Sequence, residues 1–283
     1  MRHLILLCLL IPGSIYAETS LWRVSDNHSE LFIGGTVHVL GSGDYPLPPE
    51  FGQAYQQADT LVLETDLSAM AAPEGQLQLL QRLLYSDGRT LKTVLDEPTY
   101  QALSQYSAKA GLAIESLLLF KPPMVVITLT LLELQKLGLN ESGVDQFFSQ
   151  RAQADSKPLA GLETPEQQLD TLERMGQGHE NELILSTIKD MQNLPSIMHE
   201  LKAAWRKGDM KALENIGITP MQTEYPVLYQ DLLVRRNQSW LPEIMAMLLS
   251  PERELILVGA LHLAGTDGVL EQLRRRGYTV EKY

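Results

Sequence analysis

Apolar residues recur along this chain in two rhythms, and their alternation predicts the fold. Runs that are apolar at nearly every position, Leu61-Val62-Leu63 and Leu255-Ile256-Leu257-Val258, have the pattern of strands covered on both faces. Trp22–Val24 and Glu30–Thr36 flank the polar turn Asp26–Ser29 and predict an N-terminal β-hairpin. Further strands are expected at Thr60–Leu63, Lys157–Gly161, Leu255–Gly259 and Tyr278–Lys282. Apolar residues at three- and four-residue spacing predict helices over Gln76–Tyr85, Tyr100–Gly111, Val125–Gly138, Pro165–Gly176, Glu180–Asp190, Ile197–Lys207 and Tyr225–Leu249. The order predicts an α/β fold: a mostly parallel central sheet flanked by helices, a single domain over residues 18–283, and a large helical insertion at about 166–250.

Two apolar stretches outside this scheme resemble membrane segments. Leu117–Leu134 is split by Lys121, Pro122 and Pro123, which leaves an apolar run of ~11 residues against the ~20 a span needs, so a buried helix is expected. Residues 1–17 have the form of a secretory signal, with Arg2 and His3 before the apolar run Leu4–Ile11, then Pro12 and Gly13, and Ala17 at the cleavage position. The expectation is an exported chain, periplasmic or secreted, with no membrane span once the signal is removed.

Cys8, the one cysteine, lies inside that signal. The mature chain therefore has no disulfide, no thiolate nucleophile and no cysteine-ligated zinc, and any metal must rely on His and carboxylates. With 23 Lys+Arg against 35 Asp+Glu the net charge is −12, which argues against nucleic acid as a partner and disfavours anionic membrane surfaces. The hydrophobic fraction of 44% is that of a chain able to build a core, which excludes a disordered one.

Against that background, two of the six histidines share a context. Gly35-Thr36-Val37-His38 and Gly259-Ala260-Leu261-His262 each follow an apolar strand, and each places histidine three residues beyond a glycine. Glycine lets the chain turn as it leaves the sheet and lets backbone or ligand approach closely. The histidines then fall at the carboxyl edge of the sheet, where open α/β sheets bind ligands. Glu64 and Glu163 follow two other strands in the same way. Two imidazoles and carboxylate oxygens at one rim form a divalent-metal site in which bound water is acidified and a second carboxylate serves as general base. The plainer alternatives are hydrogen-bonded structural histidines, and a Glu163 that only precedes a helix capped by Thr164 with Pro165 in its first turn.

At these residues the sequence resembles the TraB/PrgY/GumN family, which includes the Tiki metalloproteases. The resemblance runs through Gly35-Thr36-Val37-His38-Val39-Leu40, Leu63-Glu64-Thr65-Asp66, Gly143-Val144-Asp145, Gly161-Leu162-Glu163-Thr164-Pro165-Glu166-Gln167, Arg236-Asn237 and the segment from Val258 to Gly268. It implies a fold related to erythromycin-esterase-like and ChaN-like proteins, with both histidines facing one cleft. It also implies His38, Glu64 and His262 as metal ligands, with manganese or cobalt as the metal class and zinc as an alternative. Glu163 becomes a second acidic participant, Arg236 a stabiliser of an anionic intermediate, and Asn237 a residue that orients water or substrate. Arg235 is read as surface, Asp145 as structural, and Gln167 as a partner of the ligands. The function implied is an exported metal-dependent hydrolase acting on a peptide or protein substrate. The alternative is a non-catalytic protein that binds haem, metal or peptide in the same cleft.

Overall fold

The computed structural model describes residues 19–26 and 28–283, so the expected signal over residues 1–17, residue 18 and Asn27 lie outside the described residues. Eight strands occur among them: β1 (Leu21–Ser25), β2 (Glu30–Thr36), β3 (Val39–Leu40), β4 (Thr60–Leu63), β5 (Glu141–Ser142), β6 (Leu159–Gly161), β7 (Glu254–Gly259) and β8 (Thr279–Lys282). Six form one sheet in the order β6-β4-β7-β2-β1-β8. The four from β6 to β2 are mutually parallel, while β1 pairs antiparallel with both β2 and β8. The expected α/β architecture, its mostly parallel sheet and its N-terminal hairpin are all present.

Period-two alternation divides the strand residues between two apolar layers. Phe32, Leu61, Leu63, Leu255 and Leu257 pack on one side with Phe51, Phe148 and Trp205. Leu31, Ile33, Val62, Ile256 and Val258 pack on the other with Trp240, Ile244 and Leu270. Every residue of β7 is buried, which is why its sequence has almost no polar position.

Between β6 and β7 the described chain is helical and adds no strand. Glu180–Asp190 and Ile197–Lys207 are one helix, Glu180–Lys207, that runs through Pro195. Proline leaves one carbonyl without its helical partner, but Pro195 lies on the exposed side, where water meets that group. The segment Tyr225–Leu249 is less regular than its periodicity suggests: Pro226–Tyr229, a π-turn at Gln230–Val234, then the helix Arg235–Met247. Several helices were not expected, among them Pro49–Gln57, Val144–Ala154 and Val269–Arg275. Lys121 precedes the helix Pro122–Lys136 and the two prolines occupy its first turn, where a missing N–H costs nothing. No helix among the described residues is long and apolar enough to cross a membrane.

Candidate functional site

Because β2, β7, β4 and β6 are parallel neighbours, the residues that follow them emerge along one edge. His38 follows β2, His262 follows β7, Glu64 follows β4 and Glu163 follows β6. His38, Glu64 and His262 meet above Gly259, and Glu163 lies behind them against Arg236. A Cβ placed on Gly259 would lie 3.3 Å from both His38 Nε2 and Glu64 Oε1 and 3.5 Å from His262 Cδ2. Neither Gly35 nor Gly259 has a positive φ, so the turning role expected of them is not what requires glycine. Close approach does: a Cβ on Gly35 would press on Ala260 at 3.1 Å.

His38 is fixed by two short elements that no periodicity announces. Strands β3 and β5 pair antiparallel and join the segment after His38 to the segment before Gly143. Val144 N–H then donates to the Val37 carbonyl at 3.1 Å. This seats Asp145, in the first turn of its helix, with Oδ2 2.9 Å from His38 Nδ1. The His38 side chain is 61% exposed and Asp145 only 14%. Desolvation opposes protonation of His38, but the charge and hydrogen bond of Asp145, with Glu64 beyond, hold its pKa up at about 9. Asp145, expected to be structural, is the residue that orients this imidazole.

His262 is fixed from the other side of the cleft. Residues Asn237, Trp240, Leu241 and Ile244 form the buried face of the helix Arg235–Met247. Asn237 donates through Nδ2 to the carbonyls of His262 and Asp267, at 3.2 and 2.9 Å. Its Oδ1 must then accept from His262 Nδ1, 2.7 Å away. Tyr229 O–H extends the chain by donating to Asp267 at 2.7 Å, and the Trp240 ring lies 4.4 Å from the imidazole. Asn237 is buried with its amide fully engaged, so it holds His262 rather than reaching water or substrate.

Arg236, one residue earlier, turns its guanidinium into the cluster. It forks onto Glu163 (Nη2–Oε1 2.5 Å, Nε–Oε2 3.2 Å) and donates to Glu64 Oε2 at 2.6 Å, Gln168 Oε1 at 2.9 Å and His262 Nε2 at 3.2 Å. Glu64 Oε1 accepts from Gly259 N–H at 2.7 Å. Burial resists ionisation of Glu64, yet the positive field of His262 when protonated, of Arg236 and of His38, with that N–H, brings its pKa down to about 2. Burial, helped by Arg236 and His38, pushes His262 down to about 3 even though Glu64 is 3.9 Å away. Arg235 is exposed and pairs with Asp231, as expected of a surface residue.

Around Glu163 the sequence reading needs revision. Its carboxylate is forked by Arg236 and does not line the cavity of about 200 Å³ bounded by His38, Glu64, Thr36 and Thr65, so its place is that of an anchor for Arg236. Thr164 does cap the next helix, and Gln167 completes that capping box instead of serving the ligands. Gln168, overlooked in the sequence, is the glutamine that enters the site. The Thr-x-x-Gln spacing was the available signal, since it assigns Gln167 to the cap and leaves its neighbour free.

His38, His262 and Glu64 are donors of the types that divalent ions take. Two imidazoles have their Nδ1 atoms held by Asp145 and Asn237, as the outer nitrogens of ligating histidines usually are, and Glu64 lies between the rings. Among the described residues, however, no group of three or more His, Cys, Asp or Glu side chains is placed to hold a metal ion. Here the Arg236 cation lies against Glu64 and His262 Nε2.

Acid titration offers a test of the His262 environment in chelator-treated protein. The unfolded chain takes up this proton near pH 6.5 and the folded chain only near pH 3, so stability present above pH 6.5 is lost as pH falls toward 3. The slope is up to ~1.4 kcal/mol per pH unit for one proton. Urea unfolding at pH 7, 6 and 5 measures it, and the slope is expected to shrink in His262→Gln. An unchanged slope in that variant would remove the assignment.

Known proteins resemble this chain along most of its length. The chain is 29% identical over 252 residues to "Uncharacterized protein YbaP" of Shigella flexneri, covering 88% of this chain and 89% of that protein. It is 28% identical over 267 residues to the protein of the same name from Escherichia coli strain K12, covering 93% and 95%. No solved structure matches. The TraB/PrgY/gumN family profile matches residues 20–282, nearly the whole described chain, and the chain belongs to that family.

Proposed function

We propose that this cleft hydrolyses peptide bonds in an exported protein, with a divalent metal ion, manganese or cobalt in the first instance and zinc as the alternative. The observation that carries this reading is the meeting of His38 Nε2, Glu64 Oε1 and the His262 ring above Gly259, each imidazole braced at Nδ1. His38, Glu64 and His262 would hold the ion, which when bound polarises a carbonyl and acidifies water. The chain's own groups supply the rest. Glu64, the carboxylate facing the cavity, orients the attacking water. Arg236 places fixed positive charge behind it, which favours the anionic intermediate formed as water adds to the carbonyl and before the C–N bond breaks. Thr36 and Thr65 line the cavity with buried hydroxyls that have no partner in the protein, positions suited to polar atoms of the substrate.

The test is peptide cleavage by purified protein, first stripped with chelator and then given manganese, cobalt or zinc. Activity is expected to vanish on stripping and to return with metal, and His38→Ala and His262→Ala are each expected to lose ~10²-fold or more. Wild-type turnover by both variants would reject the hydrolase. A bound peptide recovered intact after long incubation would favour capture without turnover.

A further inference from the structure

The cleft has two compartments that share a wall. The inner one is the polar cavity bounded by Glu64, Thr36 and Thr65. Outside it lies an open groove of about 490 Å³, within the range of small-molecule pockets, flanked by the helices Leu67–Ala71 and Pro73–Leu83 and the start of Val144–Ala154. His38, Leu67 and Asp145 border both spaces, so a ligand lying in the groove touches the imidazole that faces Glu64.

The two compartments differ in chemistry. The groove is walled by Leu67, Met70, Leu79 and Leu80, with Gln76 and Gln146 as its neutral polar groups. Leu80 is 41% exposed, and Leu77 on the same helix is 56% exposed. No lysine or arginine borders it, and its one carboxylate, Asp145, is already bonded to His38. A charged side chain laid there would lose hydration and gain no partner, whereas an apolar one would cover leucine and methionine surface now in water. The Gln146 amide at its border, and the Gln76 amide, whose Nε2 also donates to the Ala71 carbonyl at 3.2 Å, suit the backbone N–H and C=O groups of an extended chain.

We infer that this outer groove is a specificity subsite that takes one uncharged apolar side chain, of leucine, methionine or phenylalanine size, from an extended peptide. The carbonyl next to that residue then lies in the inner compartment beside His38 and Glu64. The inference rests on the peptide-hydrolase reading for the fate of the peptide, though not for its binding. Full burial of such a side chain is worth a preference of ~10- to 100-fold over a charged one.

Two fluorescently labelled nine-residue peptides, identical except for leucine or aspartate at the centre, test this by anisotropy with the signal-free full chain. The leucine peptide is expected to bind ~10-fold or more tightly than the aspartate peptide. Met70→Lys and Leu80→Asp are each expected to erase most of that difference while the circular dichroism melt is retained. Both positions are at least partly exposed, so neither change disturbs the core. Equal affinity for the two peptides, binding of neither, or a preference that survives both substitutions would overturn the assignment. Cleavage is read separately in the same samples. Leucine-selective binding without cleavage leaves the groove standing and removes the hydrolase, and cleavage indifferent to the central residue does the reverse.

Discussion

Arg236→Met is expected to lower the unfolding free energy by ~3–5 kcal/mol at pH 7, measured by urea denaturation of metal-stripped protein. The size follows from what the substitution leaves behind. Glu163 is buried and Glu64 nearly so, and both depend on the same guanidinium for their counter-charge. Gln168 Oε1 and His262 Nε2 lose a donor at the same time. Methionine fills the volume but cannot neutralise two carboxylates close together in a poorly solvated space. Arg236→Lys should recover only part of the loss, since an ammonium keeps the charge without the planar fork that spans Glu163 and Glu64. Adding Glu163→Gln to Arg236→Met should also restore part of it by removing one stranded charge. A loss below ~1 kcal/mol would mean the cluster is well hydrated and the buried-pair account is wrong.

Gly143→Ala should combine a stability loss of ~1–3 kcal/mol with a ~10²-fold fall in the proposed peptidase activity. A Cβ at this position would overlap the carbonyl carbon and oxygen of His38 and the carbonyl oxygen of Val37, all backbone atoms that no side-chain rotation can clear. Either the His38 loop or the start of the helix Val144–Ala154 must move, and each movement separates His38 Nδ1 from Asp145. Asp145→Asn supplies the contrast: it leaves the backbone in place and removes the charge behind the imidazole, so its His38 should titrate well below about 9 by NMR. If Gly143→Ala keeps wild-type stability and the His38 titration, the packing argument fails.

The strand-end set was legible in the sequence for a local reason. A strand covered on both faces is written as an unbroken apolar run, and the polar residue that ends the run marks the sheet edge, as at Glu64 and before His38 and His262. What sets each ring's orientation was not legible. Asp145 is 107 residues from His38 and Gln168 is 68 from Arg236, and no periodicity links residues so distant. Asn237 and Arg236 stood out only through resemblance, because the helix pattern alone treats Arg235 and Arg236 alike. The missed helix Pro49–Gln57 has a glycine in its middle and glutamines on its outer side, and Val144–Ala154 is similarly poor in apolar residues. Both gain their helicity from Phe51, Tyr55 and Phe148 packing on the sheet. The helix Glu180–Lys207, expected as two, runs unbroken through Pro195, which is exposed.

Strand β7 sits between β4 and β2, yet it is supplied by residues 254–259, far along the sequence from both. A ribosome that has delivered the first 250 residues has therefore made a sheet with its middle missing, whose two halves have no edge in common. The two halves can join only once residues 254–259 are present, by a long-range, slow step. Any machinery that must thread this chain as an unfolded line meets no completed sheet before then, and any stop codon upstream of Glu254 yields material prone to aggregate.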